Sequence, residues 1–150
     1  MLRERAAELN LPVTSDVVDM TDPEQIPLDN ELDLATLVFV LSGIHPDKHV
    51  TAVKNLAKML KPGGTVLFKD YAAYDHAMLR FKPGNKIQDR FYKRADLTRA
   101  FYFMREEVID IFDEAGFRVV NCYYHHTYTE NFKMEVHVER AFIQGVFVKK

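Results

Sequence analysis

Two aspartates in this chain close apolar runs, where a carboxylate can hold a hydroxyl or amino group of a nucleoside-like ligand. Asp19-Met20 ends one run, Asp70-Tyr71 ends another, and a third gives way to Ser42-Gly43-Ile44-His45. If the runs are parallel strands, all three ends open on the same sheet edge, which is where open α/β folds bind their ligands. An aspartate after a strand is also an ordinary turn former. For one Asp alone the turn former is the commoner reading; the coincidence of two at one edge strengthens the ligand reading, and both stand.

The remaining constellations offer less. His125 and His126 are adjacent, so in a strand they point to opposite faces and cannot share a metal. His45 and His49 stand four apart with no evident third ligand. Ser42 sits in no G-x-S-x-G elbow. The glycines at 43, 63, 64, 84, 116 and 145 form no G-x-G, so the chain carries no phosphate-cradling or dinucleotide fingerprint.

Charge is unevenly spread. The net charge of -2 conceals a balance of -7 over residues 1–35, +2 over 36–79, +6 over 80–105 and -3 over 106–150. The +6 block also holds Phe81, Phe91, Tyr92, Phe101, Tyr102 and Phe103. Cations beside flat rings suit a phosphate backbone with unpaired bases. A solvated loop whose aromatics dip into the core has the same composition, and both readings stand.

The elements that must position these residues alternate between strand and helix. Residues 15–18 read as a short strand ending at Asp19. The continuous apolar run 34–41 reads as a strand buried on both faces. A helix opens at Pro46-Asp47, with Val50, Val53, Leu56, Ala57 and Leu60 on one face and Asp47 as its cap or first-turn acid. Lys61-Pro62-Gly63-Gly64 stops it, and a second strand over 65–68 runs into Asp70, completing a βαβ unit with parallel strands. A helix over 105–115 begins with Glu106 and Glu107 and ends before Gly116. Strands over 117–124 and 136–148 follow as an antiparallel pair, with the polar, aromatic stretch 123–132 between them. The fold class is therefore α/β with an antiparallel finish.

Composition bounds the rest. A chain of 150 residues with 47% hydrophobic and 28% charged residues makes one domain and is neither disordered nor collagen-like. One cysteine, Cys122, excludes a disulfide scaffold and fits a reducing compartment. No apolar run approaches the roughly 18 residues of a membrane span, and the N-terminus lacks a secretory apolar stretch. No membrane partner is expected. The expected location is cytoplasmic, with mitochondrial and nuclear sites left open.

Several stretches together resemble one family. They are Leu-Val-Phe-Val-Leu-Ser-Gly-Ile-His-Pro-Asp-Lys (37–48), Leu-Lys-Pro-Gly-Gly (60–64), Phe-Lys-Asp-Tyr-Ala-Ala-Tyr-Asp-His-Ala-Met-Leu-Arg-Phe-Lys (68–82), Arg-Phe-Tyr-Lys-Arg-Ala-Asp-Leu-Thr-Arg (90–99) and Val-Glu-Arg-Ala-Phe-Ile-Gln (138–144). From about Asp19 onward the chain resembles the eukaryotic tRNA 3-methylcytidine methyltransferases. That resemblance implies a class I, Rossmann-like fold, S-adenosyl-L-methionine as donor, and the cytidine at position 32 of certain tRNA anticodon loops as acceptor. By the same resemblance, Asp19 and Met20 hold the donor's adenine, and Ser42 and Ile44 form the wall beside its sulfonium. Asp70 and Tyr71 border the acceptor as catalytic residues. Arg80, Lys82, Arg94, Asp96, Thr98, Arg99 and Arg140 contact RNA. The anticodon arm is the implied partner, with an aminoacyl-tRNA synthetase such as seryl-tRNA synthetase as a further one.

The chain also departs from that pattern. Leu97 and Ala72 stand where the family has glycine, and a positive φ at Leu97 would strain its turn. The order 3-2-1-4-5-7-6 of class I sheets leads us to expect residues 1–150 to be the C-terminal portion of a single methyltransferase domain, lacking the first strands and the glycine-rich donor motif. The segment 15–18 then has no neighbour, and 34–41 becomes an exposed apolar edge. The ring nitrogen of cytosine carries a free lone pair, so positioning and desolvation suffice, with Asp70 offsetting the product's positive charge. A class I enzyme for another substrate, a non-catalytic RNA-binding or assembly module, and an inert product stay open as alternatives.

Overall fold

In the computed structural model, which describes residues 2–27, 30–131 and 136–150, the apolar run 34–41 divides. Strand β1 (Leu32–Val38) takes its first part, and Leu41–Gly43 winds into a turn of 3-10 helix. A second 3-10 turn (Pro46–Lys48) leads directly into a helix over His49–Met59. The expected acid Asp47 lies in that turn, where its amide is capped by the His45 ring nitrogen at 3.3 Å. Numbering from the short N-terminal helix α1 (Leu2–Glu8), this helix is α2. It buries Val53, Leu56 and Ala57, as its apolar spacing requires. Strand β2 (Leu60–Tyr71) starts immediately after it. Leu60, expected on the helix face, therefore opens the strand instead, and the strand expected over 65–68 takes in the residues 61–64 expected to stop the helix. Residues 61–64 bulge out of the ladder, because Leu32 pairs with Leu60 while Leu34 already pairs with Thr65. Gly63 turns that bulge at a φ of 80°.

Strands β1 and β2 are parallel, from Ala35 opposite Val66 to Val38 opposite Lys69. Two long antiparallel strands complete the sheet, β6 (Phe117–Asn131) and β7 (Val136–Lys149), in the order β1-β2-β7-β6. This is the 4-5-7-6 part of the class I order. The expected strand 117–124 runs longer because residues 125–131 continue the ladder with 136–142. Phe132, the end of the stretch read as a connection, lies outside the described residues.

The expected strand over 15–18 does not form. Those residues run without a ladder, and Val17 is fully exposed. A strand exists only where a neighbour takes its backbone donors and acceptors, and among the described residues β1 has only β2 beside it. The edge position also corrects the reading of β1 as buried on both faces. Leu37 is buried, while Leu34 and Val38 are about half exposed.

The basic block folds as a second sheet, which periodicity over such short segments does not announce. Helix α3 (His76–Leu79) precedes three-residue strands β3 (Lys86–Gln88), β4 (Phe91–Lys93) and β5 (Arg99–Phe101), which form an antiparallel meander. Both readings of this block hold in part. Phe91, Phe101, Tyr102 and Phe103 are buried, and most of its cations face solvent. Helix α4 (Arg105–Glu114) ends at Gly116, whose φ of 90° closes it. One face of the main sheet packs on α2 and α4 through Val66, Phe68, Phe112, Phe117 and Phe147, with Phe112 and Phe147 stacked at 3.8 Å. The other face carries Val38, Leu67, Tyr123 and Val146 along an open groove.

Candidate active site

The site grows from the carboxyl ends of β1 and β2. The chain leaves β1 through Phe39, at a φ of 55°, while the Phe39 amide still donates to the Lys69 carbonyl at 2.8 Å. Two residues on, the Ser42 amide donates to Asp70 Oδ2 at 2.9 Å, and Asp70 Oδ1 accepts from the Tyr71 amide at 2.9 Å. Asp70 is completely buried. Burial pushes its carboxyl up to about 6, against the pull of the Ser42 and Tyr71 hydrogen bonds and of Arg94. The carboxylate therefore joins the two strand ends and carries its charge at neutral pH.

Tyr71 stacks on Phe39 with centroids 4.8 Å apart and meets Tyr102 at 5.6 Å and Phe142 at 6.1 Å. The Arg94 guanidinium lies 4.8 Å from the Tyr71 ring centre. Asp70, Tyr71, Ser42 and Arg94 thus converge, although Arg94 comes from the basic block and the others from strand ends.

Asp19 and Met20 reach the same edge without a strand behind them. The Asn55 amide group donates to the Met20 carbonyl at 2.9 Å and fixes the corner. An apolar cleft of about 210 Å³ lies there, lined by Val18, Met20, Ile26, Leu37, Val40 and Leu56. Asp19 is exposed; its Oδ1 accepts from the Thr21 amide (2.8 Å) and hydroxyl (2.9 Å), which hold the carboxyl below its usual range. Ile44 is half-buried, and its carbonyl meets His49 Nε2 at 3.1 Å. His49 itself is a core residue against Phe101 and Phe103, and burial drives its pKa down to about 4.

The residues assigned to RNA divide into two groups. Arg80 and Lys82 are exposed on the approach to the small sheet. Asp96 Oδ1 accepts from the Thr98 amide (3.0 Å) and hydroxyl (2.6 Å), closing a turn in which Leu97 is exposed at a φ of 67°. That is the strain expected of a side chain in a glycine position. Arg99 lies 5.7 Å from the Phe91 ring centre. Arg140 stands apart. Its Nε and Nη2 hold Asp75 Oδ1 and Oδ2 at 2.9 and 3.0 Å, and the wholly buried Asp75 also accepts from the amides of Ala77 and Ala141.

Asp75 was not among the candidates, although it ends the Asp-Tyr-x-x-Tyr-Asp stretch that carries the resemblance. Two more contacts were equally invisible in sequence: the Phe39 ring, and the ion pair of Arg90 with Glu107, whose Oε2 also caps α4 through the Met104 amide. All three depend on partners distant in the chain.

Residues 3–121 match the family described as a methyltransferase domain. The chain belongs to this family. It is similar to the tRNA N(3)-cytidine methyltransferase METTL6 of Pongo abelii, at 42% identity over 134 residues, and to that of Homo sapiens at 41%; each alignment takes in 89% of this chain and 45% of the relative. The chain therefore spans about half the length of these curated relatives. O-methyltransferase 3 of Dictyostelium discoideum is 38% identical over 145 residues, 95% of this chain and 33% of that protein. Among solved structures, an S-adenosylmethionine-dependent methyltransferase from Clostridium acetobutylicum superposes with a TM-score of 0.69 at 12% identity, over 98% of this chain and 69% of that one. Another, from Methanosarcina mazei, gives 0.65 at 16%, over 97% and 76%. The fold is the class I methyltransferase fold, as the strand order requires.

Proposed function

We propose that this chain belongs to an S-adenosylmethionine-dependent tRNA methyltransferase that forms 3-methylcytidine at position 32 of the anticodon loop. One observation carries the reading: the likeness to tRNA N(3)-cytidine methyltransferases covers 89% of the chain, so it takes in the strand ends and the basic sheet alike.

The residues present fit the donor. Apolar walls at Met20, Leu37 and Val40 suit a flat adenine, and the charged Asp19 at their edge suits its amino group. Ser42 and Ile44 wall the donor side. When bound, S-adenosylmethionine supplies a methyl group on a positively charged sulfur.

On the acceptor side, the ring nitrogen needs no base to remove a proton, so orientation and exclusion of water do the work. Asp70, ionised at neutral pH, offsets the positive charge that the base gains, while Tyr71 and Arg94 hold the wall against which it is placed. Arg80, Lys82 and Arg99 offer cations to the phosphates of the anticodon arm. The Dictyostelium relative raises a hydroxyl acceptor as a second reading. A hydroxyl must give up its proton, and both oxygens of Asp70 are already engaged by amides, which favours the ring nitrogen.

Disrupting the gene should remove 3-methylcytidine from a subset of tRNAs, read by mass spectrometry of digested tRNA. Wild-type sequence should restore it and Asp70→Ala should not. Undiminished 3-methylcytidine in the disrupted cells would overturn the proposal.

A further inference from the structure

Phe39 holds a backbone conformation that a bulky L-residue adopts at a cost, and such strain persists where the surroundings enforce it, often at a site of function. Its φ of 55° is not an accident of a loose loop, because the Phe39 amide is tied to the Lys69 carbonyl at 2.8 Å. The consequence is where the ring goes. It lies flat on Tyr71 (4.8 Å, 29° between planes) and edge-on to Phe142 (5.6 Å). Phe142 and Tyr102, the other rings around Tyr71, are buried, and Tyr71 also carries the Arg94 guanidinium. Phe39 alone in this stack remains 40% exposed. An aromatic side chain serving only the core would be covered, and one at an indifferent surface position would not hold a strained backbone to stay open.

We propose that Phe39 is the platform on which the acceptor nucleobase stacks, at the carboxyl end of β1 and beside Asp70. Every base has a flat π-face that such a ring can receive once the base is unpaired. The assignment rests on the reading of the acceptor as an unpaired base. Tyr71, Phe142 and Arg94 then support the platform from below and beside.

The chain contains no tryptophan, so Phe39→Trp places a single tryptophan at the platform, excited selectively at wavelengths where tyrosine does not absorb. The full 150-residue variant is titrated with an anticodon stem-loop RNA, with binding followed independently by gel shift. Stacking should quench the tryptophan emission in a saturable titration that follows the gel shift. RNA that binds without quenching overturns the role of Phe39 and leaves the tRNA reading standing. If the RNA does not bind, free cytidine decides: quenching by cytidine upholds the platform while the tRNA reading fails, and no quenching overturns both. A second variant guards against a purely structural role. Phe39→Asn keeps a residue that accepts the left-handed region and removes the ring, so its Tm should equal or exceed the wild-type value. A fall in Tm like that of a core truncation would make Phe39 a packing residue and overturn the proposal.

Discussion

At the scale of single residues, the site carries two buried titratable groups whose effects on stability oppose each other. Burial lifts Asp70 to about 6 from an ordinary 3.8. The folded state therefore binds this proton more tightly than the unfolded chain, so the contribution is most favourable below about pH 4 and is lost as pH rises through 6. His49 runs the other way. Burial depresses it from 6.5 to about 4, so its contribution is complete above pH 6.5 and is lost as pH falls toward 4. Each spans roughly 3 kcal/mol as an order of magnitude, and between pH 4 and 6 their slopes largely cancel. Urea midpoints measured across that range should therefore show Asp70→Asn losing stability on acidification and His49→Gln gaining it, each relative to wild type. Parallel curves for all three proteins would contradict this account. Asp70 was legible in the sequence because it closes an apolar run. His49 was not, since its burial depends on Phe101 and Phe103, fifty residues away in the chain at and just after the end of β5.

At the scale of elements, the turn between β4 and β5 and the Asp75–Arg140 clamp make contrasting claims. Leu97 is exposed in the left-handed region, so it gains little from packing and carries the full conformational cost. Leu97→Gly should stabilise the protein by about 0.5–1 kcal/mol in denaturant unfolding. The clamp ties the segment carrying Tyr71 and Tyr74 to β7, and its carboxylate is wholly buried. Arg140→Met leaves that charge without a counter-ion and should cost roughly 3–5 kcal/mol. Adding Asp75→Asn to Arg140→Met should recover much of the loss, because the double variant no longer buries a lone charge. Equal destabilisation by the single and the double variant would show that the ion pair is not what holds the segment. The βαβ unit and α4 were readable from their periodicity, and α4 also from its stop at Gly116, whereas the stop expected at 61–64 is a bulge inside β2. The three-residue strands were not, because three residues are too few to establish a period of two.

At the scale of the whole molecule, the net charge of -2 says little and its distribution says much. On the proposed function, cations concentrated on the small sheet should give anticodon-arm RNA an affinity that falls linearly with salt on logarithmic axes. Lys86→Glu and Arg99→Glu should each lower the magnitude of that slope by about one or more. A surface variant with Arg80→Gln should do so similarly. The charge of Arg140 is already matched by Asp75, so variants that break the clamp and still fold should leave the slope nearly unchanged. An equal loss of slope at Arg140 would return that residue to the RNA surface. The apolar groove along Val38, Leu67 and Val146 belongs to this scale too, since it exists only because one sheet face has no covering layer among the described residues.

The sequence by itself determined the two parallel strands, the helix that joins them, the antiparallel finish and the uneven charge, all of which are written in short-range order and composition. It also placed Ser42 and Asp70 at one edge, because parallel strands share a direction and their ends must open together, whereas Asp19 reaches that edge through the Asn55–Met20 contact. Only the tertiary structure decided that 15–18 makes no strand, that Arg94 turns inward to Tyr71, that Arg140 faces Asp75, and that Phe39 lies open on a stacked tyrosine. Each of these is a choice of partner across a long stretch of chain. Local preference limits what a residue can do, and the neighbour it meets in three dimensions selects what it does.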